Sequence, residues 1–491
     1  MKPQTTILAL ILTIGVIGTL ITTPVVSQTV PQAINSSPFV VKPYLQIGRN
    51  PSPTSLNLLW HTTDDQVKWD VELRMSASQN WIRFDSPQYS RVAVVGVAKR
   101  LIFNSTLSNL EPGKKFEYRL IKNGEPVFQS EAIAPKTATQ AYRFVAFADV
   151  GAGTAEQKQM AKRAWLSKPD LVVVPGDIVY EHGLMTEYDK NFWPIYNADT
   201  MTGEGVPMMR QVPMFTVPGN HDTDNRDLNR FPDGLAYYFF WDQPLNGPLG
   251  EEGGPIVPRL LANETNRSNF VEAAGDAYPR MANYSFDYGN THWTVLDSNP
   301  YVDWTNKELQ DWVAKDLANS KNATWHIVTF HHPGFHSSNE HLEQQHMRLL
   351  ASIFEAGKVD LVLNGHLHNY QRTYPMTFKS SKGRNGTLLI GGKDGTVIRG
   401  RVVNGRWTLD KRFDGETNTR PQGVIYVVTG AGGKELYDVD QHDATDSWQP
   451  FTKKFVSNVH SLTIVDVNEK SLKIQQVTAE GRSVDSFTIS K

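Results

Sequence analysis

Residues 171–180 read Leu-Val-Val-Val-Pro-Gly-Asp-Ile-Val-Tyr. Four apolar residues, three of them β-branched, run into a Pro-Gly turn, which is the signature of a short strand. The first charged side chain, Asp177, comes directly after that turn. The pattern recurs on both sides. FVAFA precedes Asp149, MFTVPG precedes Asn220 and His221, HIVTF precedes His331 and His332, and DLVLNG precedes His366 and His368. Helical signals lie between these runs. Thr154-Ala-Glu-Gln157 has the form of a capping box and predicts a helix to about 167. Residues 305–308 (Thr-Asn-Lys-Glu) predict the cap of a second helix, to about 318. Further strands are expected at 292–296, 388–390, 425–428, 462–467, 472–476 and 484–489. Strand–helix alternation of this kind predicts an α/β layered domain over 141–491.

Upstream the texture differs. Between 39 and 138 the runs at 55–60, 69–75, 91–97, 100–103 and 116–122 are short and strand-like, most of them separated by Pro, Gly, Asn or Asp. They predict an all-β sandwich. No catalytic cluster stands out there.

Polar residues at strand ends carry the functional signal. Ligands of open α/β sheets collect where strands end. Taken singly, an Asp after a strand reads as a turn, a His beside an apolar run as a boundary residue, and Gly-Asn-His as a loop. Five strand ends bearing metal-ligand residue types in one domain read differently. Carboxylate and amide oxygens are hard donors, and imidazole suits iron and zinc. Two ions about 3.5–4 Å apart can clamp an in-line displacement at phosphorus.

The blocks Asp149-Val-Gly151, Gly176-Asp-Ile-Val-Tyr180, Gly219-Asn-His-Asp222, Val328-Thr-Phe-His331 and Gly365-His-Leu-His-Asn-Tyr-Gln-Arg372 occur in that order. The set resembles the purple acid phosphatases, within the calcineurin-like metallophosphoesterases, over nearly the whole chain beyond its N-terminus. The resemblance implies a four-layer α/β (α+β) domain, two mixed β-sheets flanked by helices, preceded by a fibronectin type III-like sandwich. It implies a binuclear centre of Fe(III) and a divalent ion (Fe, Zn or Mn). Asp149, Asp177, Tyr180 and His368 would hold the ferric ion, with Asp177 bridging, and Asn220, His331 and His366 would complete the divalent site. Most calcineurin-like enzymes begin with Asp-x-His, whereas here that third position is Gly151, and Tyr180 is the expected replacement ligand. The family's usual Gly before the first Asp is Ala148 here. His221 would face the substrate phosphate. His341 fits the place of a His that protonates the leaving alkoxide or fixes the phosphate. His332 and His336 are nearer alternatives on that loop, and Tyr370 and Arg372 are expected as supports. The insertion between Tyr180 and Asn220 and the stretch 242–260 would shape the substrate mouth.

The rest of the sequence limits the setting. A formal net charge of −2 over 491 residues disfavours non-specific nucleic-acid binding. With no Cys, disulfide scaffolds and zinc-thiolate sites are excluded. Lys2, an uncharged run at 7–21 and small residues before 27 predict a signal peptide over 1–27 and an exported protein with no lasting membrane insertion. An uncleaved anchor is the competing reading. The expected activity is hydrolysis of small phosphomonoesters. Two rival readings are a phosphodiesterase or nucleotide pyrophosphatase with the same ions, and a catalytically silent surface-binding protein.

Overall fold

The computed structural model describes residues 37–491 except 66, 77, 85, 383–389 and 392–401. The predicted signal peptide, most of the linker at 28–38 and most of the strand predicted at 388–390 lie outside the described residues. Pro38–Lys491 forms one compact unit. Among the described residues no helix is long and apolar enough to cross a membrane.

Two facing sheets build the α/β region. One has six strands, in the order Met214–Thr216, Leu171–Val174, Tyr142–Ala146, Ser461–Val467, Ser471–Thr478 and Ser483–Ser490. The other has seven, in the order Tyr284–Tyr288, Thr291–Val295, Trp325–Thr329, Leu361–Asn364, Ile425–Thr429, Tyr370–Thr373 and Thr452–Val456. Both are mixed. In each, parallel pairs carry the chemistry-bearing strands and antiparallel strands close one or both edges.

The period-2 alternation of strand side chains sorts the layers. Phe144, Ala146, Leu171 and Val173 meet Ile327, Leu361, Leu363 and Val427 between the sheets. Val145, Val172 and Val174 face the opposite way, onto Met160, Ala161 and Ala164 of the helix Ala155–Leu166. On the far side Val328, Val362 and Tyr426 pack on Leu309, Val313 and Phe354, from the helices Lys307–Asn319 and Ala351–Ala356. Helix, sheet, sheet and helix therefore stack as four layers.

The N-terminal region is an all-β sandwich of two four-stranded sheets. One runs Val41–Gln46, Leu56–Thr63, Arg100–Leu107, Gln88–Val92, the other Ile82–Arg83, Trp69–Met75, Lys115–Lys122, Glu125–Ile133. Its own core holds Trp60, Trp69, Phe103, Phe116 and Tyr118. The other face of the first sheet is apolar too. Tyr44, Leu59 and Ile102 join Trp193 and Phe240 of the α/β region.

Three expectations are corrected. The strand predicted at 91–97 ends at Val92, with Gly96 in a left-handed turn (φ 84°). The second helix is capped by Asn306, whose side chain accepts from Leu309 N; the Thr305 hydroxyl goes to Asp303 instead. Most of the insertion after Tyr180 is spent on docking the sandwich. Tyr188, Phe192, Trp193 and Tyr196 pack in the shared core, while its first residues, beginning with Glu181, reach the polar cluster.

Candidate metal centre

Loops leaving the parallel strands are stitched to one another before any side chain is considered. Asp149 N donates to Gly176 O at 3.2 Å, Ala148 N to Thr429 O at 3.0 Å, and Gly365 N to His331 O at 3.0 Å. Gly176 sits at φ 91°, and a Cβ there would lie 2.4 Å from His331 Nδ1. Only glycine permits that turn and that approach. A Cβ at Gly151 would lie 2.0 Å from Ile178 O and 2.5 Å from Val179 Cα. In this backbone, position 151 has no room for a side chain.

Seven candidate donors converge. Tyr180 Oη lies 3.1 Å from both Asp149 Oδ1 and Asp177 Oδ2, and 3.3 Å from His368 Nε2. His368 Nε2 is 3.6 Å from Asp149 Oδ1. Asp177 Oδ2 is also 3.3 Å from His331 Nε2, so this one oxygen stands between the tyrosine side and the histidine side. Asn220 Oδ1 is 3.1 Å from His331 Nε2 and 3.1 Å from His366 Nδ1. One atom each from Asp149, Asp177 and His331 falls within a 4.8 Å span. Backbone carbonyls orient two of the imidazoles. His331 Nδ1 faces Pro175 O at 2.8 Å and His368 Nδ1 faces Glu435 O at 2.6 Å. Each Nδ1 then donates and each Nε2 turns a lone pair inward.

The electrostatics of the cluster favour added positive charge. Burial pushes the Asp149 carboxyl well above the usual carboxylate range, with Asp177 adding to the effect. Burial and both carboxylates raise the Tyr180 phenol. His331 rises to about 9; burial opposes this, but Asp177 and Asp149 outweigh it. Burial lowers His368 to about 3. Protons substitute for cations wherever oxygen donors crowd in a dry volume, and bound cations reverse the logic. Among the described residues, no Lys or Arg pairs with Asp149 or Asp177. Hard oxygens, one amide, one phenol and three imidazoles suit a pair of transition-metal ions.

The other predicted residues are distributed around this cluster. His221 is partly exposed; its Nδ1 lies 2.9 Å from Glu181 O and its ring centroid 4.4 Å from that of Tyr180. His341 has a left-handed backbone (φ 57°), and its ring lies tilted against that of His366 with the centroids 4.3 Å apart. His332 is buried beneath, with Nδ1 3.0 Å from Ser298 Oγ and its ring 4.3 Å from His366. His336 is buried, and burial lowers it to about 3. Tyr370 and Arg372 reach away from the cluster. Both bind Asp485, at 2.8 Å from the hydroxyl and 2.6 Å from the guanidinium Nε. The stretch 242–260 is tied to neighbouring surface by Glu252, which accepts from Leu260 N and Arg267.

Several supporting residues escaped the sequence reading. Asp222 is buried and accepts from the N–H groups of Gly219 and Ile178, at 2.8 and 3.0 Å, which clamps two strand-end loops together. Asn299 Nδ2 donates to Thr223 Oγ1 at 3.0 Å, and Asp297 accepts from Tyr301 Oη at 2.6 Å. Tyr437 stacks on His368 at 3.9 Å. Asp222 had a signal, since it sits in the Gly-Asn-His-Asp block. Tyr437 had none.

Residues 142–370 match the calcineurin-like phosphoesterase family. The chain is 23% identical over 437 residues to purple acid phosphatase 23 of Arabidopsis thaliana, covering 80% of each chain. It is 24% identical over 336 residues to a nucleotide pyrophosphatase/phosphodiesterase of Hordeum vulgare, covering 66% of this chain and 73% of that one. Among solved structures, purple acid phosphatase PPD1 from yellow lupin (Lupinus luteus) superposes with a TM-score of 0.62 at 18% identity, covering 91% of this chain and 74% of the lupin chain. At that identity the likeness is one of fold.

Proposed function

We propose, from the match of residues 142–370 to the calcineurin-like phosphoesterase family and the likeness to purple acid phosphatases, an exported phosphatase that hydrolyses phosphomonoesters at a centre of Fe(III) and a divalent ion (Fe, Zn or Mn). The observation that carries the reading is the single oxygen Asp177 Oδ2, 3.1 Å from Tyr180 Oη on one side and 3.3 Å from His331 Nε2 on the other. Asp149, Tyr180 and His368 would hold the ferric ion, Asn220, His331 and His366 the divalent one, and Asp177 would serve both. When bound, such ions supply a hydroxide nucleophile and neutralise charge on the phosphoryl oxygens.

The chain's own residues do the rest. His221 commits Nδ1 to the Glu181 carbonyl, which leaves Nε2 to meet a phosphate oxygen. Gln344 Nε2 lies 3.0 Å from His341 Nδ1. Donation from that amide puts the neutral ring's proton on Nε2, the atom that would protonate the leaving alkoxide. Burial keeps His332 neutral beside His366, so it supports that ring without charging it.

The test is a joint measurement on purified protein of metal content, visible spectrum and rates on p-nitrophenyl phosphate and bis(p-nitrophenyl) phosphate. The monoester is expected to turn over faster, and Tyr180→Phe is expected to abolish the visible band. A variant that kept all of that absorption would remove the phenolate assignment. The similarity to the barley pyrophosphatase/phosphodiesterase favours a second reading, cleavage of phosphodiesters. Faster turnover of the bis-ester would select it.

A further inference from the structure

Lys434 supplies none of the seven donors, yet it is fixed over one of them. Its backbone N–H donates to Asp149 O at 3.0 Å, which anchors its loop to the first strand end. Its ammonium lies 4.4 Å from the centroid of the Tyr180 ring. It also lies 2.6 Å from Glu181 Oε1. Glu181 is the residue directly after Tyr180, and its other carboxylate oxygen lies 3.6 Å from His221 Nδ1. Its backbone carbonyl, 2.9 Å from the same nitrogen, fixes the imidazole. The Lys434 and Glu181 side chains are 28% and 56% exposed, so the pair adds little to folding. What it provides is the placement of a positive charge over a buried aromatic ring.

We propose that Lys434 is a tuning residue for Tyr180. Its ammonium stabilises negative charge on the phenolate, and Glu181 holds it in place while positioning His221. The inference rests on the reading of Tyr180 as a phenolate ligand. A cation over the ring lowers the energy of its π electrons. Light absorption that moves one of those electrons to a ferric ion then needs more energy, and the band lies at shorter wavelength than it would without Lys434. A phenolate so stabilised is also a weaker donor, which leaves the ion more electrophilic. A substrate-binding lysine would behave differently, changing KM and leaving the band where it is.

The experiment compares wild type, Lys434→Met, Lys434→Arg and Glu181→Gln at equal iron content, reading the visible band and the kcat and KM for p-nitrophenyl phosphate. Lys434→Met is expected to move the band to longer wavelength by about 10 nm or more, as loss of a cation–π contact from a visible transition requires. Lys434→Arg keeps the charge and is expected to hold the band near its wild-type position. Glu181→Gln frees the ammonium and is expected to move the band in the same direction as Lys434→Met, by less. An unmoved band in Lys434→Met overturns the proposal, whether or not KM rises. So does an equal shift in the Met and Arg variants, which would make the effect steric. If Lys434→Met does not fold or load iron, the Glu181→Gln spectrum decides alone. A wild-type protein that binds iron without a visible band sinks the phenolate reading first and this one with it.

Discussion

At three candidate ligands the backbone is left-handed: Asp149 at φ 62°, Asp177 at φ 52° and His366 at φ 69°. Such conformations cost roughly 1 kcal/mol or more for a residue with a Cβ, and Asp and His tolerate them better than most. Hydrogen bonds repay part of that cost. Asp149 accepts from His366 N at 3.0 Å, and Asp177 accepts from His221 N at 3.0 Å. The residue types at these turns were legible in the sequence; the sign of φ was not, because it depends on partners more than forty positions away. Gly151 follows the same logic. Its missing side chain is explained by Ile178 O, 2.0 Å from where a Cβ would stand. Gly151→Ala is therefore expected to lose about 1–3 kcal/mol of stability by overpacking, read as a lower thermal midpoint. It should also weaken iron loading, because the turn that carries Tyr180 must shift.

At the scale of elements, the predicted strands at 171–174 and 425–428 lie within a residue of their observed spans. The helix at 154–167 begins as expected, with Thr154 accepting from Gln157 N at 3.1 Å. Gln157 reaches past the cap to Gly153 N at 2.7 Å, so the reciprocal bond is displaced by one residue. The edge strand Glu125–Ile133 was missed because only Ala132 in it is fully buried, so it lacks a run of core residues. One inter-element contact makes a pH prediction. His292, on the strand Thr291–Val295, lies 2.7 Å from Asp287 on the neighbouring strand and 3.0 Å from Asp316 on the helix Lys307–Asn319. Burial alone would lower it, but the two carboxylates raise it to about 9. A folded pKa above the unfolded value of about 6.5 means stability that is present below that value and lost as pH rises through about 9. His292→Ala is thus expected to cost a few kcal/mol near pH 6 and progressively less toward pH 9.5, measured by urea unfolding across that range.

For the whole molecule, the two sheets are joined by more than apolar contact. Arg372, from the seven-stranded sheet, makes a two-pronged pair with Asp485 of the six-stranded sheet at 2.6 and 3.0 Å, both side chains under a tenth exposed. Asp485→Ala leaves that guanidinium buried and unpaired. The expected loss is about 3–5 kcal/mol, seen as a lower denaturant midpoint. The centre joins the same two sheets, since Asp149, Asp177 and Asn220 follow strands of one and His331, His366 and His368 strands of the other. Stripping ions with a reductant and chelator is expected to lower the thermal midpoint and abolish activity together. Ions at about 100 times their dissociation constant contribute roughly 2.7 kcal/mol, so adding them back should restore both.

By itself the sequence determined the Asp, Asn and His residues of the candidate cluster and the order in which strand ends deliver them, because apolar runs and the polar residues closing them are local features; Tyr180 entered through the family resemblance. It also determined the layered α/β class, through strand–helix alternation; the four layers came only as an implication of the family resemblance. Only the tertiary structure decided which oxygen of Asp177 lies between the two halves, why position 151 is bare, and that Tyr437 and Lys434 belong to the site. Those facts depend on distances between loops far apart in the chain, and local pattern carries no information about such distances.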